Sequence, residues 1–281
     1  RDAGRHVFLT LHSVRGARPA PETARALRAL DRILIHTDAD RERLAALGVD
    51  DNVTTLAPGF PPALGPTRDE IRRALGIAGG PVVGTFGFLR PHKGLLELIE
   101  ATALLRRRHP DVLLLALAAM DPSAESEAYR ERCAAAVERL GLADHCRILT
   151  DFLDADACRT ALRACDVVVL PYRSTIDSAS GAVRAALAAR VPVVATRSAA
   201  LDDVSDLVVR IDRVDASAIA RGVTAVLGDR RRADELLAAT ERRLARDAWD
   251  VVGRTYAKFV DAALADLRPF AKPYPIAAAV P

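Results

Sequence analysis

Several common signatures are missing from these 281 residues. There is no GxGxxG fingerprint after a strand and no GxxxxGK[ST] loop, so the dinucleotide fold and the P-loop are set aside. Four cysteines occur (Cys133, Cys146, Cys158 and Cys165), none in a CxxC or Cys/His spacing. No zinc site or redox dithiol is therefore expected, and no metal at all; the thiols read as small apolar fillers in a reducing compartment. An excess of one charge is also lacking: 40 Lys and Arg face 37 Asp and Glu without a long single-sign run, which speaks against a nucleic-acid partner. The arginine clusters at Arg106 to Arg108 and Arg230 to Arg232 read as solvated helix faces rather than phosphate or membrane patches. Apolar runs such as Val112 to Met120 are too short to span a bilayer, and the stretch from Arg1 to His12 carries no cleavage-type signal. The expectation is a soluble cytoplasmic protein, with peripheral membrane association left open.

What is present is a chain that is 50% hydrophobic, long enough for one large or two modest domains without a disulfide or metal staple. Short β-rich apolar runs alternate with longer Ala/Leu/Arg stretches of helical period, which places the chain in the α/β class with parallel sheet. Strands are expected at Val82 to Phe86, Val112 to Leu117, Cys146 to Leu149, Val167 to Leu170, Val193 to Ala195 and Leu207 to Val209. Helices between them fall at about Lys93 to Arg108, Glu127 to Leu140, Asp156 to Ala164 and Ser180 to Ala189. Together they predict one complete doubly wound, Rossmann-like domain over residues 81–245.

Ahead of it, strands at Phe8 to Leu11 and Ile33 to His36 alternate with helices at Ala24 to Asp31 and Arg41 to Leu47. Two strands leave open edges and uncovered faces, so residues 1–57 read as the C-terminal remnant of a larger domain. The stretch from Ala57 to Pro66, with Pro58, Gly59, Pro61, Pro62, Gly65 and Pro66, breaks all periodicity; the linker is set at 58–80. A final helix from Trp249 lies within 246–267, and 268–281 form a Pro-rich tail.

Two constellations could do chemistry. The first runs from Gly84 through Gly87, Phe88, Arg90 and Lys93 to Gly94, from a strand end into a helix start. Glycines there permit close approach of backbone to a ligand, and Arg90 and Lys93 add positive charge, as a diphosphate would require. Such a loop also caps helices in proteins that bind nothing there. The second follows the fourth strand of the 81–245 domain, from Pro171 and Tyr172 to Asp177, Ser178, Ser180 and Gly181. It is either a second anion-binding helix start or an ordinary N-cap at Ser180.

The stretch from about Phe8 to Leu264 resembles the retaining GT-B glycosyltransferases of family 4 (glycosyl transferases group 1). The matching text is GFLRPHKG (Gly87 to Gly94), DSASGAVRAALAARVPVVAT (Asp177 to Thr196), the Leu11, His12, Ser13 strand end and IHTDADRERLAALGV (Ile35 to Val49). The helix from Trp249 resembles the one that crosses back to the family's first domain. The resemblance implies a nucleotide-sugar donor whose diphosphate meets Lys93, with Gly87 letting the loop close in. It implies His12 beside the donor sugar, Asp177 on sugar hydroxyls, and the amides of Ser180 and Gly181 on phosphate. Two positions depart from the family. Phe88 stands where an Arg is usual, with Arg90 as a substitute only if the loop rearranges. Ala185 replaces the Glu that binds ribose, and its neighbour Arg184 is left to take a phosphate or to pair at the surface. His12 taken without the resemblance is an ordinary strand-end histidine.

The resemblance further implies transfer of a sugar to an acceptor hydroxyl with retention of configuration. Lys93, Arg90 and the helix start at Ser180 would stabilise the departing phosphate without a metal, and domain closure would exclude water. The acceptor would be a carbohydrate or a lipid-linked molecule. The main alternative is a non-catalytic GT-B domain used in binding or assembly, argued for by Phe88 and Ala185. A GT-B epimerase fits the PVVAT loop and linker less well, and an oxidoreductase lacks its fingerprint. Base choice would rest on side chains near Phe86, Leu117 and Phe152.

Overall fold

The computed structural model describes residues 6–14, 21–62, 65–173 and 179–266. Those up to Gly59, joined by the segment from Trp249 on, form one unit, and those of 60–173 and 180–248 form another.

In the first unit, strands β1 (Phe8–Thr10), β2 (Arg32–Ile35) and β3 (Val53–Thr55) lie side by side in that order, all parallel, with α1 (Pro21–Arg28) and α2 (Asp38–Ala45) as crossovers. The central strand β2 buries Ile33, Leu34 and Ile35. Ala24, Leu44, Val49 and Val53 complete the small core with Ile33 and Ile35. Thr37 caps α2 by accepting a hydrogen bond from the Asp40 amide, and its hydroxyl donates to Asp40 Oδ2 at 2.8 Å. The sequence had led us to expect two strands; β3 is the third. Its three residues follow Asp50, Asp51 and Asn52 and are too short to show alternation, yet they satisfy the β2 edge and bury Val53.

The second unit begins with α3 (Arg68–Ala74), followed by β4 (Val82–Phe88), α4 (Leu95–Leu105), β5 (Leu113–Ala119), α5 (Ala124–Arg139), β6 (Cys146–Leu149) and α6 (Ala155–Leu162). It continues through β7 (Val167–Leu170), α7 (Gly181–Ala188), β8 (Val193–Thr196), β9 (Val208–Ile211), α8 (Ala216–Gly228) and α9 (Arg230–Arg246). The six strands are parallel in the order β6-β5-β4-β7-β8-β9. The chain winds outward from β4 in one direction, then returns and winds outward from β7 in the other. The order therefore reverses between β4 and β7, and at such a point the loops after the strand ends part to leave a crevice. Apolar runs such as VVVL in β7 are buried throughout because helices cover both faces. α4, α5 and α8 cover one face around Leu98, Ile99, Cys133 and Ile219, and α3, α6 and α7 cover the other around Ile71, Cys158, Leu162 and Val183.

Residues 58–80 are not linker throughout. Thr67 and Glu70 form a reciprocal capping box, α3 follows it, and Ile71 and Ile77 are buried in the core of the second unit. This helix has seven residues, five of them charged, so it is too short to show a helical period. α4 starts at Leu95 rather than Lys93: a single 3-10 turn, Pro91–Lys93, comes first, and Gly94 takes the left-handed conformation between them. The cysteines are all free, and burial pushes the Cys165 thiol up to about 12, as suits a filler.

The last helix, α10 (Trp249–Asp266), belongs to the first unit. Its Phe259 meets Phe8 edge to face at 6.3 Å between ring centroids. A Cβ on Gly59 would fall 2.7 Å from the Trp249 ring, so only glycine lets the chain pass there. Among the described residues no helix is long and apolar enough to cross a membrane. The expected tail, 268–281, lies outside the described residues.

Candidate functional site

The crevice between β4 and β7 is built by two loops held against each other. Gly94 has φ +71°, and a Cβ there would sit 2.3 Å from the carbonyl oxygen of Pro171. Any side chain at that position would force the loops apart. Two residues earlier, the carbonyl of His92 accepts a hydrogen bond from the Arg173 amide at 2.8 Å. Arg173 in turn forms an ion pair with Glu97 on α4. Tyr172 is 2% exposed, and its carbonyl accepts a hydrogen bond from the Thr196 hydroxyl at 2.5 Å, which ties the loop to β8 as well.

Lys93 lies between these anchors. Its ammonium sits 3.9 Å from the centroid of the Tyr172 ring, a cation over an aromatic face. Gly87, near the end of β4, has φ +150°, which disfavours any side chain, and the space its Cβ would occupy borders the Lys93 methylenes and the Tyr172 hydroxyl. The structure thus brings together Gly87 and Lys93 and adds Tyr172, which the sequence offered only as a neighbour. Lys93 is one of three lysines in a chain whose cations are otherwise arginine.

Arg90 points elsewhere. It forms ion pairs with Asp121 and with Glu125, the latter at 2.5 Å. The Glu125 hydrogen bond above all holds the guanidinium in its charged form, and the two carboxylates offset that charge. Substitution for the family's arginine would require Arg90 to leave both. No spacing in the sequence announced either partner, each more than 30 residues away.

On the β5 side of the crevice lies a cavity of about 180 Å³. Phe86, Gly87, Phe88, Leu117, Asp151 and Phe152 are among the residues that line it. Phe88 is 50% exposed and Phe152 76% exposed, so two aromatic faces stand open to solvent. Phe86, Leu117 and Phe152, widely separated in sequence, therefore share one wall.

On the β7 side, Ser180 caps α7 through a hydroxyl that accepts from the Val183 amide. Its own amide donates to the carbonyl of Ala200 at 3.0 Å, so among the expected phosphate donors Ser180 is engaged within the fold and Gly181 is the exposed one. Arg184 is neither at the surface nor open to a ligand: it is 4% exposed, forms an ion pair with Asp203 and lies 5.3 Å over the Phe60 ring. Asp177 and Ser178 lie outside the described residues. In the first unit, His12 stands exposed just beyond β1, with its Nδ1 2.9 Å from His36 Nε2.

Residues 80–229 match the family described as glycosyl transferases group 1. The chain is 31% identical over 225 residues to the D-inositol 3-phosphate glycosyltransferase of Jonesia denitrificans, covering 77% of this chain and 50% of that protein. Among solved structures it is similar to HepE of Anabaena in complex with UDP, with a TM-score of 0.75, 19% identity, and 92% of this chain and 72% of that one covered. It is also similar to the C-terminal domain of LpcC, a glycosyl transferase group 1 family protein of Francisella tularensis (TM-score 0.53, 21% identity, 70% of this chain and 95% of that one). These likenesses establish the α/β GT-B fold. The chain spans about half the length of the curated relatives it matches.

Proposed function

Because the chain belongs to the glycosyl transferases group 1 family, we propose that its 60–248 unit binds a nucleotide-diphosphate sugar, and that the protein transfers the sugar to an acceptor hydroxyl with retention of configuration. The observation that carries this reading is the convergence of Gly87 and Lys93 at the β4/β7 crevice beside an apolar, aromatic-walled cavity. A diphosphate there meets an ammonium and close backbone, while a flat base finds Phe86, Phe88 and Phe152. HepE, solved both with UDP and with UDP-glucose, supports a donor of this class.

In this reading Lys93 stabilises the charge that develops on the departing phosphate, together with the exposed amide of Gly181 at the start of α7. Asp177 and Ser178 contact the donor and His12 lies beside the sugar. Arg184 acts from behind, holding α7 through the Ser180 carbonyl at 3.4 Å and through Asp203. Arg90 joins the diphosphate only on release from Asp121 and Glu125. No metal takes part, so chelation leaves binding unchanged. The acceptor is a carbohydrate or lipid-linked hydroxyl, met in the cytoplasm or at its membrane face. Ala185 removes a ribose acceptor and weakens the donor by about 1 kcal/mol per lost hydrogen bond without abolishing transfer. Phe88 and Ala185 argue for a non-catalytic domain, but the family match and the relatives named as glycosyltransferases do not favour it.

The test is a thermal-shift titration with UDP, GDP and ADP and with their sugar conjugates, on the chain and on Lys93→Ala, with and without EDTA. A ligand bound only to the folded state raises its melting temperature. One nucleotide series is expected to stabilise the chain, to lose at least tenfold in affinity on Lys93→Ala as a charge-assisted contact disappears, roughly 1.5–3 kcal/mol, and to ignore EDTA. Failure of every nucleotide to stabilise the chain sinks the proposal.

A further inference from the structure

The second unit holds another cavity, of about 160 Å³, at the end of the sheet opposite the crevice. Its place follows from Asp166, which lines it just before β7 and accepts from the amide of Val82, the first residue of β4, at 2.6 Å. The length of β4 puts it about 20 Å from the crevice, at ~3.3 Å per residue. Three guanidiniums from three elements line it: Arg68 from the start of α3, Arg163 from the end of α6 and Arg190 from the turn after α7. Buried Cys165 and Val191 add apolar surface.

The carboxylates nearby do not balance these cations. Asp166 is answered by Arg68 and, at 2.6 Å, by Arg72, besides the Val82 amide. Glu241 takes Arg190 through Nε and Nη2. Among the described residues no acceptor meets Arg68 Nε or Nη1, or Arg190 Nη1, which leaves N–H groups for a ligand. On the lining, three guanidiniums face one carboxylate and leave two positive charges; with Arg72 and Glu241 the count is four against two, and the same two remain. Arg190 is also the one residue other than glycine, among those described, with a left-handed backbone, φ +58°. Glycine takes that conformation without the clash a Cβ makes. The ion pair with Glu241 offsets little of this, because its side chains are 45% and 46% exposed. A side chain kept in a strained position points to a use for its outer end. We propose that Arg68, Arg163 and Arg190 form a site for a phosphate dianion, either free or as the monoester end of a small metabolite. Guanidiniums present paired N–H donors that match phosphate oxygens, which only accept, and the dianion meets the two charges left over. All three arginines belong to the 60–248 unit, and the inference does not rest on the donor-binding reading above.

The test is calorimetric titration of the full chain with sodium phosphate and with glucose 6-phosphate, at ionic strength held constant with sodium chloride. It is run at about pH 8, above the second pKa of a phosphate monoester at about 6, so that the probe is a dianion. Every titration uses the Lys93→Ala chain, because the crevice lysine attracts phosphate too. Binding is expected there, and Arg190→Gly and Arg68→Gln, each added singly, should weaken it about tenfold, as loss of a charge-assisted hydrogen bond implies. Glycine suits φ +58°, so Arg190→Gly keeps the fold and decides even if Arg68→Gln does not fold. Arg139→Gln removes an equal charge from α5, which covers the other face of the sheet, and should leave binding unchanged. Tighter binding of glucose 6-phosphate than of phosphate identifies a monoester as the ligand, and equal or weaker binding identifies the free anion. No binding of either dianion overturns the proposal, as does binding undiminished by Arg190→Gly or weakened equally by Arg139→Gln. Arg163 and Arg190 would then only answer the carboxyl ends of α6 and α7.

Discussion

A guanidinium that is 4% exposed has to be answered by an anion inside the fold, and Asp203 answers Arg184. Removing one partner strands the other: Arg184→Ala should destabilise the second unit by about 3–5 kcal/mol, whereas adding Asp203→Ala should recover much of that loss. Urea unfolding of the single and double variants measures both, and equal losses in the two would show that Asp203 does not need its partner. At this scale the sequence was readable where function sits in one short string. GFLRPHKG announced a glycine at Gly87 and a cation at Lys93 because loop and helix start are contiguous in the chain. It could not announce that Tyr172 lies under Lys93, that Asp121 and Glu125 hold Arg90, or that His36 faces His12. Each of those pairs joins residues brought close by strand register or by neighbouring loops, and no local spacing encodes them.

Helix α3 carries the next lesson. Its capping pair, Thr67 and Glu70, was a legible S/T-x-x-E signal, but it sat among prolines and glycines that argued for a linker, and seven residues give no period to read. The hydrogen bonds from Thr67 hold the Glu70 carboxyl below its ordinary value. A carboxyl whose value is lower in the folded state adds stability above its unfolded value and loses it as the pH falls through the folded one. The gap in melting temperature between the native chain and Glu70→Ala should therefore be widest near neutrality and close on acidification; a gap that is constant with pH would remove the carboxylate from the account. The strands of the second unit were legible because helices on both faces demand continuous apolar runs, whereas β3, at three residues, offered nothing to distinguish it from loop.

For the molecule as a whole, the second unit has its own six-stranded sheet and a core on each face, and its boundary residues lie together. The Phe60 amide donates to the Asp247 carbonyl at 2.9 Å, and Phe60 forms a parallel bridge with Ala248. A chain cut to residues 60–248 should fold cooperatively and keep the nucleotide-dependent rise in melting temperature, since Gly87, Lys93 and the aromatic cavity are all inside it. Thermal unfolding of that fragment with the nucleotide selected above is the check, and loss of the response in a folded fragment would place essential donor contacts outside it. The α/β class was readable at this scale from the alternation of strand and helix, whereas the GT-B type was legible only through the resemblance carried by GFLRPHKG and DSASGAVRAALAARVPVVAT.

The Phe60 to Ala248 bridge has a genetic meaning as well. Neighbouring strands run about 4.8 Å apart, so the two ends of this unit lie side by side, and the 189 positions from Phe60 to Ala248 can be handled as one cassette. Two recombination points, one at each of these ends, would exchange the whole cassette for a homologous one. A lineage built this way can inherit this unit from one ancestor and the rest of its chain from another.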